Sequence, residues 1–144
     1  MELEVDSDRG EPTHVRPKSV EATFEEIFAL AIRKQPQIQR IVIASEQGLV
    51  IAFAPRSKGS EHRVAALSPV LGDAGESVFN ALSLTPLGEI MLIGSEGTAY
   101  FARLKSVPAF LVVAAVGQVN LGLLRITAAE IETAATSLLN SIFG

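Results

Sequence analysis

Phe110-Leu111-Val112-Val113-Ala114-Ala115-Val116 is apolar at every position. A strand turns successive side chains to opposite faces, so a run with no polar alternation is buried on both. It predicts a central strand with helices on both sides of its sheet. A membrane span is excluded. Ser106 to Leu124 carries no charge over 19 residues, but Pro108, Gly117, Gln118, Asn120 and Gly122 interrupt it. Its purely apolar part is far short of the roughly 20 residues that cross a bilayer.

Upstream of this strand, Val107-Pro108 bends the chain. Thr98 to Leu104 alternates in part and reads as a fourth strand. Ser95-Glu96-Gly97 is expected as a three-residue hairpin loop, and Glu89 to Ile93 as the third strand. Downstream, Asn120 is placed to cap a last helix whose apolar side holds Leu121, Leu124, Ile131, Ala135, Leu138 and Ile142.

Further upstream, about Ser60 to Leu84 reads as a long helix. Val64, Leu67, Leu71, Ala74, Val78 and Leu82 recur at three and four, an apolar stripe expected to face the sheet. Arg63, Asp73, Glu76, Ser77 and Asn80 fall opposite. Pro69 either kinks this helix or sits in the first turn of a new segment capped by Ser68. Before it, Ile41 to Ser45 and Leu49 to Phe53 are short apolar strands joined by Glu46-Gln47-Gly48, a hairpin with glycine where positive φ is needed. A first helix is expected from a Thr23 cap with Glu26 three residues on, through Phe24, Ile27, Phe28, Ala31 and Ile32, ending at Pro36. Residues 1–18 hold five acids, three basic residues and two prolines and are expected as a flexible tail before a domain over 19–144. The order is α-β-β-α-β-β-β-α, an α+β class with an antiparallel sheet.

The 144 residues are 48% hydrophobic, enough for a sizeable core. The formal net charge of −4 argues against nucleic acid, whose phosphates need a basic surface. There is no cysteine, which removes disulfides, thiolate catalysis and Cys-ligated metals. The acidic first residues form no signal peptide, so a cytoplasmic location is expected.

Catalytic patterns are absent. His14 and His62 form no ligand pair. Gly72-Asp73-Ala74-Gly75 is followed by no Lys-Ser or Lys-Thr, and its glycines serve close helix packing. Gly94-Ser95-Glu96-Gly97 is a hairpin turn, because no strand-to-helix step surrounds it. Asp73 and Glu76 lack the apolar setting that raises a carboxyl pKa. Arg63, Arg103 and Arg125 suit surface or ion-pair roles better than catalysis on a partner. No catalytic residue, cofactor site or metal site is expected.

What remains is surface. Ile90-Met91-Leu92-Ile93 is an apolar candidate for a sheet edge, and such edges aggregate unless paired or covered. Ala65, Ala66, Ser68, Gly72, Gly75 and Ala81 are small enough to let another helix approach, or to pack on their own sheet.

This pattern resembles the Roadblock / dynein light-chain family over about residues 20 to 143. The similarity is carried by Ile41 to Val50, by the helix containing Ala65-Ala66-Leu67, by the strands around Gly94 to Phe101, and by Val119-Asn120-Leu121-Gly122-Leu123-Leu124-Arg125. The resemblance implies a sheet ordered 2-1-5-4-3, with the middle helix on one face and the terminal helices on the other. It implies a homodimer made by pairing third strands and packing second helices, with Ala65, Ala66, Gly72, Ile90, Met91, Leu92 and Ile93 at the interface. It also implies a Ras-like small GTPase as partner, docked near Arg63, Asp73, Glu76 and Asn80, whose hydrolysis is regulated without an active site in this chain. The competing reading is a small-molecule sensor domain of profilin- or PAS-like architecture, since fold alone does not fix function.

Overall fold

The computed structural model describes residues 19–55 and 59–143. The expected tail, and His14 with it, lies outside the described residues. The elements are α1 (Val20–Lys34), β1 (Ile38–Ser45), β2 (Val50–Ala54), α2 (Glu61–Ala81), β3 (Glu89–Ile93), β4 (Gly97–Arg103), β5 (Ala109–Val116) and α3 (Leu121–Phe143). The five strands form one antiparallel sheet in the order β2-β1-β5-β4-β3. The all-apolar β5 is central, as its pattern requires.

Local chemistry sets most boundaries. Ser19, rather than Thr23, caps α1: its side chain accepts the Ala22 N–H at 3.1 Å, so the helix starts four residues earlier than expected. Glu21 in the first turn and Arg33 and Lys34 in the last complement the helix dipole. Gly48 has φ +84°, as the β1–β2 turn demands. Asn120 caps α3 by accepting the Leu123 N–H at 2.9 Å. The β3–β4 loop has three residues, as expected, but shifted by one position to Gly94, Ser95 and Glu96, because Gly94 donates to the Gly97 carbonyl at 2.8 Å and Gly97 opens β4.

Two layers cover the sheet. On one face α1 and α3 pack over Ile41, Ile43, Tyr100, Ala102, Leu111 and Val113, with Phe24, Phe28, Leu124, Ile131 and Leu139 all buried. Phe24 and Phe28 stack at 5.7 Å, one helical turn apart. On the other face Val42, Ala44 and Ala65 form a smaller core with Val50, Phe53, Val64 and Val112 around it. The alternation of β5 divides its side chains between these two cores.

The orientation of α2 departs from the sequence expectation. Its buried residues are Glu61, Ala65, Ser68 and Gly72. Leu67, Ala74, Val78 and Leu82 of the expected inward stripe are exposed, and Val64 and Leu71 are half-buried at its margin. The sheet supplies the bulk here and the helix supplies the space: a Cβ on Gly72 would meet the Phe110 ring at 3.0 Å, and Phe110 stacks on Phe101 at 5.3 Å. Large side chains on α2 have no room beneath the helix. Pro69 neither splits nor recaps it. The helix is continuous from Glu61 to Ala81, and Ser68 donates to the Val64 carbonyl at 2.9 Å inside it.

This packing gives a contrast to measure. Gly72→Leu must displace Phe110 and is expected to cost roughly 1–3 kcal/mol of overpacking strain. Gly88→Ala meets nothing within 4 Å, and its cost should stay within about 0.5 kcal/mol. Urea denaturation of both variants checks the difference.

Candidate interface surface

The two sheet edges are built differently. In the antiparallel ladder between β3 and β4, five consecutive pairs run without interruption from Glu89·Ala102 to Ile93·Thr98. Because Gly94 bonds to Gly97, the alternation makes Leu92·Ala99 and Ile90·Phe101 the bonded pairs. Glu89, Met91 and Ile93 therefore turn their N–H and C=O groups outward along a flat edge. The side chains on this edge are apolar, with Leu92 50% and Ile93 65% exposed. The β2 edge is broken instead: Ile43 pairs with Ala52 and Ala44 with Val50, so Ile51 is an unpaired bulge. A bulge twists an edge away from further pairing. The regular β3 edge is the one suited to accept a strand.

The outer surface of α2 is the second feature. Leu67, Val70, Ala74, Val78 and Ala81 follow at spacings of three and four on the side turned from the sheet, and all are exposed. Val70, 62% exposed, was no part of the stripe read from sequence. Beside α2, the same sheet face is uncovered at the hairpin end, where Leu92, Ala99, Ala114 and Val116 floor a shallow trough.

The site residues expected from sequence separate into groups. Ala66 is exposed beside the outer α2 stripe, and Leu92 and Ile93 are exposed on β3. Ile90 and Met91 are half-buried, and Met91 packs against the α1–α3 core. Ala65 and Gly72 face the chain's own sheet, which accounts for their small size within one protomer. Arg63, Asp73 and Asn80 are exposed, but Glu76 is half-buried and accepts the Leu87 N–H at 3.4 Å. The four do not share one face: a 3.6-residue repeat puts Arg63 near the apolar stripe, Asp73 and Asn80 on a flank, and Glu76 toward β3. His62 borders a groove between α1 and β2. Among the described residues no group of three or more His, Asp or Glu is placed to hold a metal ion, and no helix is long and apolar enough to cross a membrane.

This arrangement has counterparts among solved structures. An MglB "with tetrameric arrangement" superposes with a TM-score of 0.76 at 15% identity, covering 92% of this chain and 98% of that one. The gliding protein MglB of Thermus thermophilus gives 0.74 at 15% identity, covering 92% and 99%. A Roadblock/LC7 domain from Streptomyces avermitilis gives 0.68 at 16% identity, covering 83% and 97%. The chain has the Roadblock/LC7 fold. At the level of sequence, no family model and no curated protein matches it.

Within this Roadblock/LC7 fold, sequence reasoning missed a polar cluster between α3 and the start of β3. Glu89 takes a hydrogen bond from Tyr100 and an ion pair from Arg125. Burial raises the Tyr100 pKa well above 10, and the Glu89 charge and hydrogen bond raise it further; the nearby Glu132 adds to this and Arg125 opposes it. Glu132 is also raised, first by burial, with Lys105 opposing and Glu89 adding. Arg103 serves the opposite face, pairing with Glu46 at 2.7 Å and lying over the Phe110 ring at 4.6 Å. Arg103 and Arg125 are thus ion-pair residues, the role favoured from sequence.

Tyr100 is the single tyrosine and there is no tryptophan, so its ionisation is read directly from tyrosinate absorbance. The native protein should not titrate near 10, whereas the urea-unfolded chain should. Because the folded pKa is raised, this stability is present below about 10 and lost as pH rises above it. Glu89→Gln should bring the native titration down. Native titration at the ordinary tyrosine value would contradict this account. For Glu132 the same sign applies from about 4.5 upward, so Glu132→Gln should raise stability at neutral pH.

Proposed function

We propose that the protein is a homodimeric, non-enzymatic regulator or scaffold that docks on a Ras-like small GTPase in the cytoplasm. Residues 19–144 form the Roadblock-like domain that does this. The observation that carries the reading is the meeting of two unpartnered surfaces on one side of the molecule: the regular apolar β3 edge and the apolar outer stripe of α2. Burying a Val or Leu side chain contributes about 1.5–3 kcal/mol. Leu67, Val70, Val78, Leu92 and Ile93 together make a solvated monomer the less favourable state. Pairing β3 with β3 of a second copy joins the sheets into ten strands and satisfies the outward backbone groups of Glu89, Met91 and Ile93.

The GTPase partner follows from the Roadblock resemblance, and the likeness to MglB structures, one of them called a gliding protein, supports it. The paired α2 helices then form the docking platform. Arg63, Asp73 and Asn80 stand at its borders, and Glu76 reaches it only through its exposed part. The dimer moves the GTPase between switch states by binding one of them more tightly, because equal binding shifts nothing.

Light scattering is expected to give twice the chain mass at micromolar concentration. Leu92→Glu and Ile93→Glu should weaken the dimer by roughly 10- to 100-fold. GTP hydrolysis by a Ras-like GTPase from the same organism is then followed with and without the protein. Faster hydrolysis makes it an activator, and binding without acceleration makes it a scaffold. A monomer that binds no small GTPase would end this reading.

A further inference from the structure

The β2 edge of the sheet borders a surface of its own. Helix α1 and β2 enclose a groove of about 260 Å³. Phe24 and Phe28 form its floor, and Val20 and Ile51 beside them are 42% and 36% exposed. Ile51 is the unpaired bulge residue, so the groove runs along the irregular edge. A bulge discourages strand addition but covers nothing. The apolar side chains next to it stay in water unless another segment lies over them. Glu21 and Glu25 are exposed on the α1 side of the groove, and His62 of α2 also lines it.

The chain itself supplies a segment that fits. Residues 1–18 join the domain at Ser19, whose backbone is extended (φ −64°, ψ 156°) and which directly precedes Val20 of the groove. The charge of this segment is divided. Its acids are Glu2, Glu4, Asp6, Asp8 and Glu11, whereas Pro12-Thr13-His14-Val15-Arg16-Pro17-Lys18 has none and carries Arg16 and Lys18. The end next to the domain is therefore complementary to Glu21 and Glu25, and the far end is not. Val15 is the large apolar side chain of residues 12–18, and Pro17 disfavours helix at Arg16. Extended chain from Ser19 back to Val15 reaches about 13 Å. The groove wall from Val20 to Phe28 is about 12 Å long. A segment tethered this closely meets the groove at an effective concentration in the millimolar range, which a free peptide rarely matches.

We propose that residues 12–18 fold back over the α1–β2 groove as an intramolecular strap. Val15 covers Val20 and Ile51, and Arg16 and Lys18 lie against Glu21 and Glu25. The strap protects the β2 edge by covering its apolar side chains rather than by pairing with its backbone. Residues 1–11 continue beyond it as an acidic spacer. Docking of the strap requires neither a second copy nor a GTPase.

The chain has no tryptophan, so an engineered one reports its own surroundings. Val15→Trp is compared in the full chain with Val5→Trp, which lies in the acidic part. Docking predicts emission from Val15→Trp to the blue of Val5→Trp and acrylamide quenching several-fold weaker, both unchanged on dilution. Adding Ile51→Asp, or Glu21→Lys with Glu25→Lys, to Val15→Trp should raise its quenching to the level of Val5→Trp. Circular dichroism checks that each variant is folded. Equal quenching of the two tryptophans overturns the strap and leaves the groove to a separate partner. Protection that disappears on dilution puts the segment on a second copy and overturns the intramolecular docking. Protection that survives both sets of groove substitutions overturns the groove as the strap's site.

Discussion

The close approach of α2 to its own sheet governs the rest of this molecule. Ala65, Ser68 and Gly72 let the helix descend onto Phe110 and Phe101, and that descent leaves no room for larger residues beneath it. The apolar side chains of α2 are consequently turned outward. On most surface helices an apolar stripe marks the buried face. Here the buried face is the small one, because the sheet already carries the volume. One packing choice thus both builds the second core and creates the exposed surface on which the functional reading depends.

The sheet adds a matching asymmetry. Its edges are chemically similar in being apolar, yet β2 is interrupted at Ile51 and β3 is regular over five pairs. A heterologous contact between unlike edges propagates into open chains, whereas an isologous contact closes on itself. With only one regular edge, any strand pairing between two copies would be isologous and would close on itself. The Glu89–Tyr100–Arg125 cluster sits at the start of that edge. It binds the carboxylate of Glu89 to its own protomer, so an apolar neighbour placed alongside does not face a bare charge.

Much of this was legible in the residues. The unbroken apolar run of β5 placed it centrally, the Gly48 turn and the Asn120 cap stood where expected, and the order of elements pointed to the resemblance that the fold bears out. Boundaries moved where a local bond outweighed a pattern: Ser19 captured the helix start from Thr23, and the Gly94–Gly97 bond shifted the hairpin loop by one residue. The edge position of Leu92 and Ile93 was readable because a short apolar strand between turns is a natural sheet edge. The exposure of Val70 was not, because it depends on which side of α2 the sheet occupies.

The sequence by itself determined the elements, their order and the central strand, since periodicity of two or 3.6 and the chemistry of caps and turns act over a few residues. Tertiary structure alone decided which face of α2 is buried. It also decided that Tyr100, Glu89, Arg125 and Glu132 meet. Those outcomes depend on volumes and charges brought together from β3, β4, β5 and α3, and no local pattern encodes the sum of side chains that distant strands place beneath a helix.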